Sequence, residues 1–300
     1  MTAARASILL VGSPYWCRYL KSVLNKHTRA RCYTIGDSCR WVLTPAKSIC
    51  LVGVGAPDTD KRFVYHLIAF LLHRLRIVRL RALYWIGSDV IRLRANDAYV
   101  SGCSNIAGSA WIAEEVRAKG YRCVDRLFPV ELRSERGVSF PNTKRLQALC
   151  YIPDAHHELH GSAELMDVAT RLPGIDFKVV GGEGAWWREH PANVQFLGWV
   201  SNIAVPISES HVLLRRTRHD SLSAFVREGI ISGRYVIFTY NVPGVVWIES
   251  GNVEALTASL SDLGALLGRG ELRLQQPADE ILEWISDVRT QALALADELG

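Results

Sequence analysis

Short apolar runs alternate with longer stretches of helical spacing along the whole chain. Ser7–Gly12 (SILLVG) is a continuous apolar run of strand length, followed by the turn Gly12-Ser13-Pro14 and a helix over Tyr15–Asn25 with proline in its first turn. Arg31–Ile35 and Ser48–Val54 read as strands, and Asp60–Arg76 reads as a helix that Asp58, Thr59 or Asp60 can cap. Arg81–Ile86 is a strand ending in Gly87-Ser88-Asp89, with Asp89 placed to cap a helix beginning near Val90. Ala107–Lys119 is an amphipathic helix stopped by Gly120, and Tyr121–Phe128 is a short strand. Pro129–Lys144, rich in charge and containing Gly137, Pro141 and Asn142, reads as a linker.

The alternation resumes beyond it. Strands are expected at Leu146–Ile152, Asp176–Val180, Asn193–Leu197, His211–Arg215 and Tyr235–Thr239. Helices are expected at Gly161–Leu172, Ser221–Ser232, Asn252–Leu267 and Pro277–Leu299. Strands alternating with helices predict an α/β protein of two Rossmann-like, doubly wound domains facing each other across a cleft. The domains are placed at residues 1–145 and 146–300, with the last helix packing back on the first.

The segment Arg215–Gly244 concentrates the candidate chemistry. Arg215, Thr217, Arg218, His219 and Asp220 fall at the carboxyl edge of a strand, where open α/β sheets bind ligands. Glu228 follows Asp220 by eight positions, about two helical turns. Carboxylates accept from the vicinal hydroxyls of a ribose or hexose, the N–H groups at Ser221–Ser223 can receive an anion, and Arg215 or Arg218 can add charge against a diphosphate. The same spacing also fits an Asp220 N-cap, with Ser221 or Ser223 as rivals, and a solvated Glu228. Asp89 stands at a strand's carboxyl end, where a catalytic or acceptor-binding group is found, although as a cap it needs no chemistry. Gly181-Gly182-Glu183-Gly184, after another strand, lets a ligand approach the backbone or simply makes a tight turn.

Composition narrows the classes. Hydrophobic residues make up 49% and charged residues 22%, which leaves room for sizeable cores. The apolar stretch Phe63–Leu72 is too short to span a bilayer and is interrupted by His66. The first residues lack a signal-peptide cleavage pattern. Seven cysteines without a CxxC pair point to buried thiols in a reducing, cytosolic setting. PDAHHELH lacks the spacing of a zinc helix, and Gly12 is not part of a G-x-G-x-x-G fingerprint. The net charge of +5 conceals an asymmetry, since residues 1–147 carry 24 Lys+Arg against 10 Asp+Glu, so the remainder is acidic. The basic half is expected to face an anionic membrane surface, a phosphorylated acceptor or nucleic acid, and the basic apolar helix Asp60–Arg76 suits a membrane surface.

Four segments in order, LPGIDFKVVGGEG, NVQFLGWV, HDSLSAFVREGIISGRYVI and NVPG, resemble the donor-binding half of GT-B glycosyltransferases of the large retaining group. The match spans about residues 146–245, while YWIGSDV and SAWIAEEVRAKGY are less diagnostic. The resemblance implies that Glu228 holds the nucleotide's ribose and that Asp220, with backbone groups of Ser221 and Leu222, faces the donor sugar. Gly181 and Gly182 would border the diphosphate, and Gly198, Trp199 and Val200 the base. Arg215, Thr217, Arg218, His219 and Ser223 would complete the donor side, and Gly12, Ser13, Tyr84 and Asp89 the acceptor side. Histidines in YIPDAHHELHG stand where relatives carry an Arg and a Lys on the diphosphate. The expected reaction transfers a sugar from a nucleoside-diphosphate sugar, with retention, to a hydroxyl of a surface glycan or lipid-linked saccharide, without metal or cofactor, in the cytoplasm or on the inner face of the membrane. Two other readings are open: a nucleic-acid-binding or base-modifying protein using the basic half, and a GT-B protein that binds a sugar nucleotide without transferring it.

Overall fold

The computed structural model describes residues 7–34, 48–53, 60–91 and 93–300, with the side chains of 60–63 left out. The caps expected at Asp58, Thr59 and Asp60, the strand ends Ile35 and Val54, and the side chain of Arg62 lie outside what is described.

The chain divides into two compact units. The first comprises residues 1–131, 220–222 and 287–300. Its strands are β1 (Ser7–Gly12), β2 (Arg31–Thr34), β3 (Ser48–Val52), β4 (Leu80–Trp85), β5 (Ser104–Ala107) and β6 (Cys123–Asp125). They pair in the order β2-β1-β3-β4-β5-β6, all parallel. Its helices are α1 (Pro14–His27), α2 (Asp60–Arg74), α3 (Ala98–Ser101) and α4 (Ala110–Ala118). The continuous apolar runs are explained by the side-chain period of two. Leu9, Val11, Ile49, Leu51, Leu83 and Trp85 join one core layer, while Ile8, Leu10, Cys50, Val52, Ala82 and Tyr84 join another. Both faces of a parallel sheet are thus covered, so no polar alternation survives in the sequence.

The second unit comprises residues 132–219 and 223–286. Its strands are β7 (Gln147–Tyr151), β8 (Asp176–Val180), β9 (Val194–Phe196), β10 (Val212–Arg215), β11 (Tyr235–Phe238) and β12 (Val246–Trp247), in the parallel order β12-β11-β10-β7-β8-β9. Its helices are α5 (Ser162–Arg171), α6 (Ala204–Ser208), α7 (Ala224–Ile231), α8 (Val253–Gly268) and α9 (Asp279–Ser286), while α10 (Val288–Leu299) belongs to the first unit. Ala148, Cys150, Phe177, Val179, Val212, Leu214 and Ile237 form a core layer with α5 and α8. Gly229 sets α7 tightly against the sheet's other face, where a Cβ would meet Leu213 and Val236 side chains at 2.7 Å.

Several expectations are corrected, some by a tertiary partner and some by local capping. β5 lies just before the helix expected from Ala107, and its polar Asn105 is buried because it accepts from Trp85 Nε1 at 3.1 Å and donates to the Val100 and Cys103 carbonyls. Where the sequence predicts a helix beginning near Val90, Ser88–Val90 forms a single 3-10 turn, and no α-helix begins there among the described residues. The last helix is broken at Asp287, whose side chain accepts from Thr290 N and starts α10. α7 begins at Ala224 and not Ser221, because Ser221 Oγ donates to Ile86 O at 2.9 Å and Trp111 Nε1 donates to Asp220 O at 2.7 Å, which holds residues 220–222 in the first unit.

Candidate functional site

In the second sheet β7 and β10 are neighbours, but the chain leaves β7 toward β8 and leaves β10 toward β11. The connections diverge there, and it is beyond the carboxyl ends of such a pair of strands that open α/β sheets bind their ligands. Tyr151 and Arg215 end these strands. Arg215 is buried, its guanidinium 4.9 Å from the centre of the Tyr151 ring, and Nη1 donates to Tyr151 O at 3.3 Å. The Tyr151 ring also meets His160 edge-on. Burial, then Arg215 and His156, push the His160 imidazole down to about 3, so it stays neutral beside the arginine. The loop expected over Pro153–His160 ends in a 3-10 turn, His157–His160, closed by Gly161 in the left-handed region at φ 82. A side chain there would run into Arg216 O.

Arg216 is a structural anchor. It is buried, pairs with Glu164 at 2.7 Å and donates to the carbonyls of Ile248 and Glu249 at 2.5 and 2.7 Å. It thereby ties the loop after β10 to the chain beyond β12. Thr217 is also taken up locally: it is fully buried, and its hydroxyl donates to His219 O at 3.1 Å. His219 is half-buried and Arg218 is exposed, held by its amide on Leu159 O at 2.8 Å. Ser223 occupies the N-cap position of α7, but its hydroxyl makes no capping bond.

The glycine loop already receives an anion from within the chain. Asp154 accepts from Glu183 N at 2.9 Å and Gly184 N at 3.0 Å, and Gly182 passes so close that a Cβ would lie 2.6 Å from Asp154 N. Gly181 N donates to Gly198 O at 2.9 Å, joining the loops after β8 and β9. Trp199, beyond Gly198, is 71% exposed, and Val200 is half-buried.

Glu228 is 3% exposed, not a solvated helix residue. Its two carboxylate oxygens accept from consecutive backbone amides, Arg133 N at 2.8 Å and Ser134 N at 2.6 Å. This is bidentate recognition of two adjacent donors, the geometry that a pair of vicinal hydroxyls also presents. Each oxygen retains further acceptor capacity. Asp220 Oδ1 accepts from Ser221 N at 2.9 Å, within the first unit.

The residues expected on the acceptor side separate. Gly12 lines a cavity of about 700 Å³ with Pro14, Arg18, Lys21, Thr34 and Tyr65. Ser13 starts α1 without a side-chain cap. Tyr84 is a core residue, 1% exposed, stacked on Phe128 and donating its hydroxyl to Arg126 O at 2.8 Å, so it cannot reach an acceptor. Asp89 is buried and folds back on the turn it follows, accepting from Ile86 N at 3.1 Å and Gly87 N at 2.9 Å. Tyr151, Asp154 and His160, which the sequence places in a suggestive stretch without giving them a role, also lie beside this point of divergence. Their signal is position after the strand beside the divergence, which only the strand order reveals. No group of three or more His, Cys, Asp or Glu side chains suited to a metal ion occurs among the described residues.

No protein-family model matches the sequence, and no curated protein sequence matches it. Solved structures do match. Anabaena HepE in complex with UDP-glucose aligns at a TM-score of 0.66 and 12% identity over 98% of this chain and 99% of that one. Sucrose-phosphate synthase from Thermosynechococcus elongatus aligns at a TM-score of 0.70 and 11% identity, over 98% of each chain. The S. aureus TarM structure aligns at 0.55 and 9%, over 87% of this chain and 56% of that one. With its two parallel six-stranded sheets and flanking helices, the chain has the GT-B glycosyltransferase fold.

Proposed function

We propose that the chain is a glycosyltransferase that moves a sugar from a nucleoside-diphosphate sugar to an acceptor hydroxyl. The observation that carries this is Glu228, a buried bidentate carboxylate on the helix after β10, in a chain whose GT-B fold matches over nearly its full length a protein solved with UDP-glucose. In this reading Glu228 takes the ribose hydroxyls, by sharing its free lone pairs or by releasing Arg133 and Ser134. Arg215, Arg218 and the start of α7 stabilise the leaving diphosphate without a metal. Gly181 and Gly182 border the diphosphate, and Gly198, Trp199 and Val200 border the base. Asp220, with Ser221 and Leu222, faces the sugar. Gly12 and Ser13 serve a glycan or lipid-linked acceptor. Retention at the anomeric carbon belongs to the same proposal.

A second reading, sugar-nucleotide binding without transfer, is favoured by one observation. His160, in the stretch where relatives carry an Arg and a Lys, stays neutral and lends a leaving diphosphate no positive charge. Thermal unfolding with UDP, GDP and UDP-glucose tests both. A ligand at a hundredfold excess over its Kd adds about 2.7 kcal/mol, seen as a rise of several degrees in Tm. The absence of a rise with every nucleotide overturns the donor reading. A rise without release of UDP from UDP-glucose in the presence of acceptors selects the second.

A further inference from the structure

α2 carries apolar side chains on all sides, yet the first sheet covers only part of it. Ala69 is fully buried, and Tyr65 and Leu72 pack partly on the core. Val64, Leu67, Phe70, Leu71 and Leu75 are 49%, 41%, 45%, 46% and 67% exposed, and Ile77, just beyond the helix, is 45% exposed. Positions 64, 67, 71 and 75 recur at helical spacing and share one face. Soluble surfaces scatter their exposed apolar groups, so a row of this kind calls for a partner. Arg74, Arg76 and Arg79 are exposed around the end of the row, and no acidic residue occurs from Val64 to Ser88.

We infer that this face of α2 docks on an anionic lipid bilayer, with the apolar row entering the acyl boundary and the arginines lying among the headgroups. A nucleic acid would satisfy the arginines but leave the leucines in water. A second copy would bring two sets of arginines together across a two-fold contact with no carboxylates from this stretch between them. The helix has 15 residues, and no helix among the described residues is long and apolar enough to cross a membrane, so the contact is interfacial. The inference does not depend on the donor reading.

Co-sedimentation with phosphatidylcholine vesicles, with and without phosphatidylglycerol, tests it. Wild-type protein is expected to bind the phosphatidylglycerol vesicles at low salt and to lose binding as salt rises. The variant L67E/L71E/L75E is expected to partition at least about tenfold more weakly at an unchanged melting temperature. R74E/R79E is expected to lose the dependence on phosphatidylglycerol while keeping its response to UDP-glucose. Absence of wild-type binding at low salt, or equal binding by the leucine variant, overturns the inference. A dimer seen by sedimentation equilibrium and abolished in the leucine variant also overturns it, and assigns the face to self-association. Vesicle binding by a protein that ignores every nucleotide would leave this inference standing and remove the donor reading.

Discussion

Two helices flanking parallel sheets, α2 and α7, dispose of charge and apolar surface in opposite ways. α7 is buried from Phe225 to Ile231, including Arg227 at 0% and Glu228 at 3% exposure. α2 exposes Leu67, Leu71 and Leu75 beside exposed arginines. The charges on α7 are tolerated because each has backbone partners: Arg227 donates to Ile285 O, and Glu228 accepts from two amides. The leucines on α2 have no covering element among the described residues, and each forgoes part of the roughly 1.5–3 kcal/mol that full burial would contribute. Charge type and hydropathy therefore do not decide exposure; the available partners do.

The comparison breaks most visibly at α7. Arg227→Ala is expected to cost about 3–5 kcal/mol, measured by urea unfolding, since it strips a buried carbonyl of its donors and opens a cavity. Glu228→Ala should cost about 2–4 kcal/mol by leaving the Arg133 and Ser134 amides without acceptors. Glu228→Gln, which keeps one acceptor, should cost about 1–2 kcal/mol and is the cleaner probe of donor binding. If its UDP response is unchanged, Glu228 is a clasp for this segment and not a ribose ligand.

A smaller effect follows from His211, fully buried at the start of β10, whose Nδ1 accepts from Gln147 N at 3.1 Å. Burial, then Arg234, push its imidazole down to about 4. The unfolded chain binds the proton first, near pH 6.5, so stability is complete above about pH 6.5 and falls between about 6.5 and 4, by roughly 1 kcal/mol per pH unit. Unfolding midpoints at pH 7 and 5 should differ, and His211→Gln should remove about half of the difference, since His160, pushed down to about 3, contributes over the same range. The smallest effect is expected on α2, where L67E/L71E/L75E should change stability by no more than about 0.5 kcal/mol in all.

Much of the fold was legible. Ile8–Val11 and Val212–Leu214 are unbroken apolar runs because both faces of each sheet are covered, and glycines after strands mark the turns at the carboxyl edge. β5 was not legible, because Ser104 and Asn105 look like loop residues until Trp85 supplies a partner for Asn105. The break at Asp287 was hidden inside one continuous apolar period. In the candidate site, position and motif singled out Arg215, Gly182 and Glu228, but what they touch was not legible. Tyr84, read as facing an acceptor, lies in the core because a strand buried on both faces sends every side chain inward.

Periodicity and turn chemistry alone determined that this is an alternating α/β chain with a carboxylate-bearing helix after a central strand, because local spacing sets which side chains share a face. Only the tertiary structure decided the strand order that makes β7 and β10 neighbours, the capture of Arg133 and Ser134 by Glu228, and the bare face of α2. Those depend on partners distant in sequence, and hydrogen bonding and burial are settled by what each group meets in space.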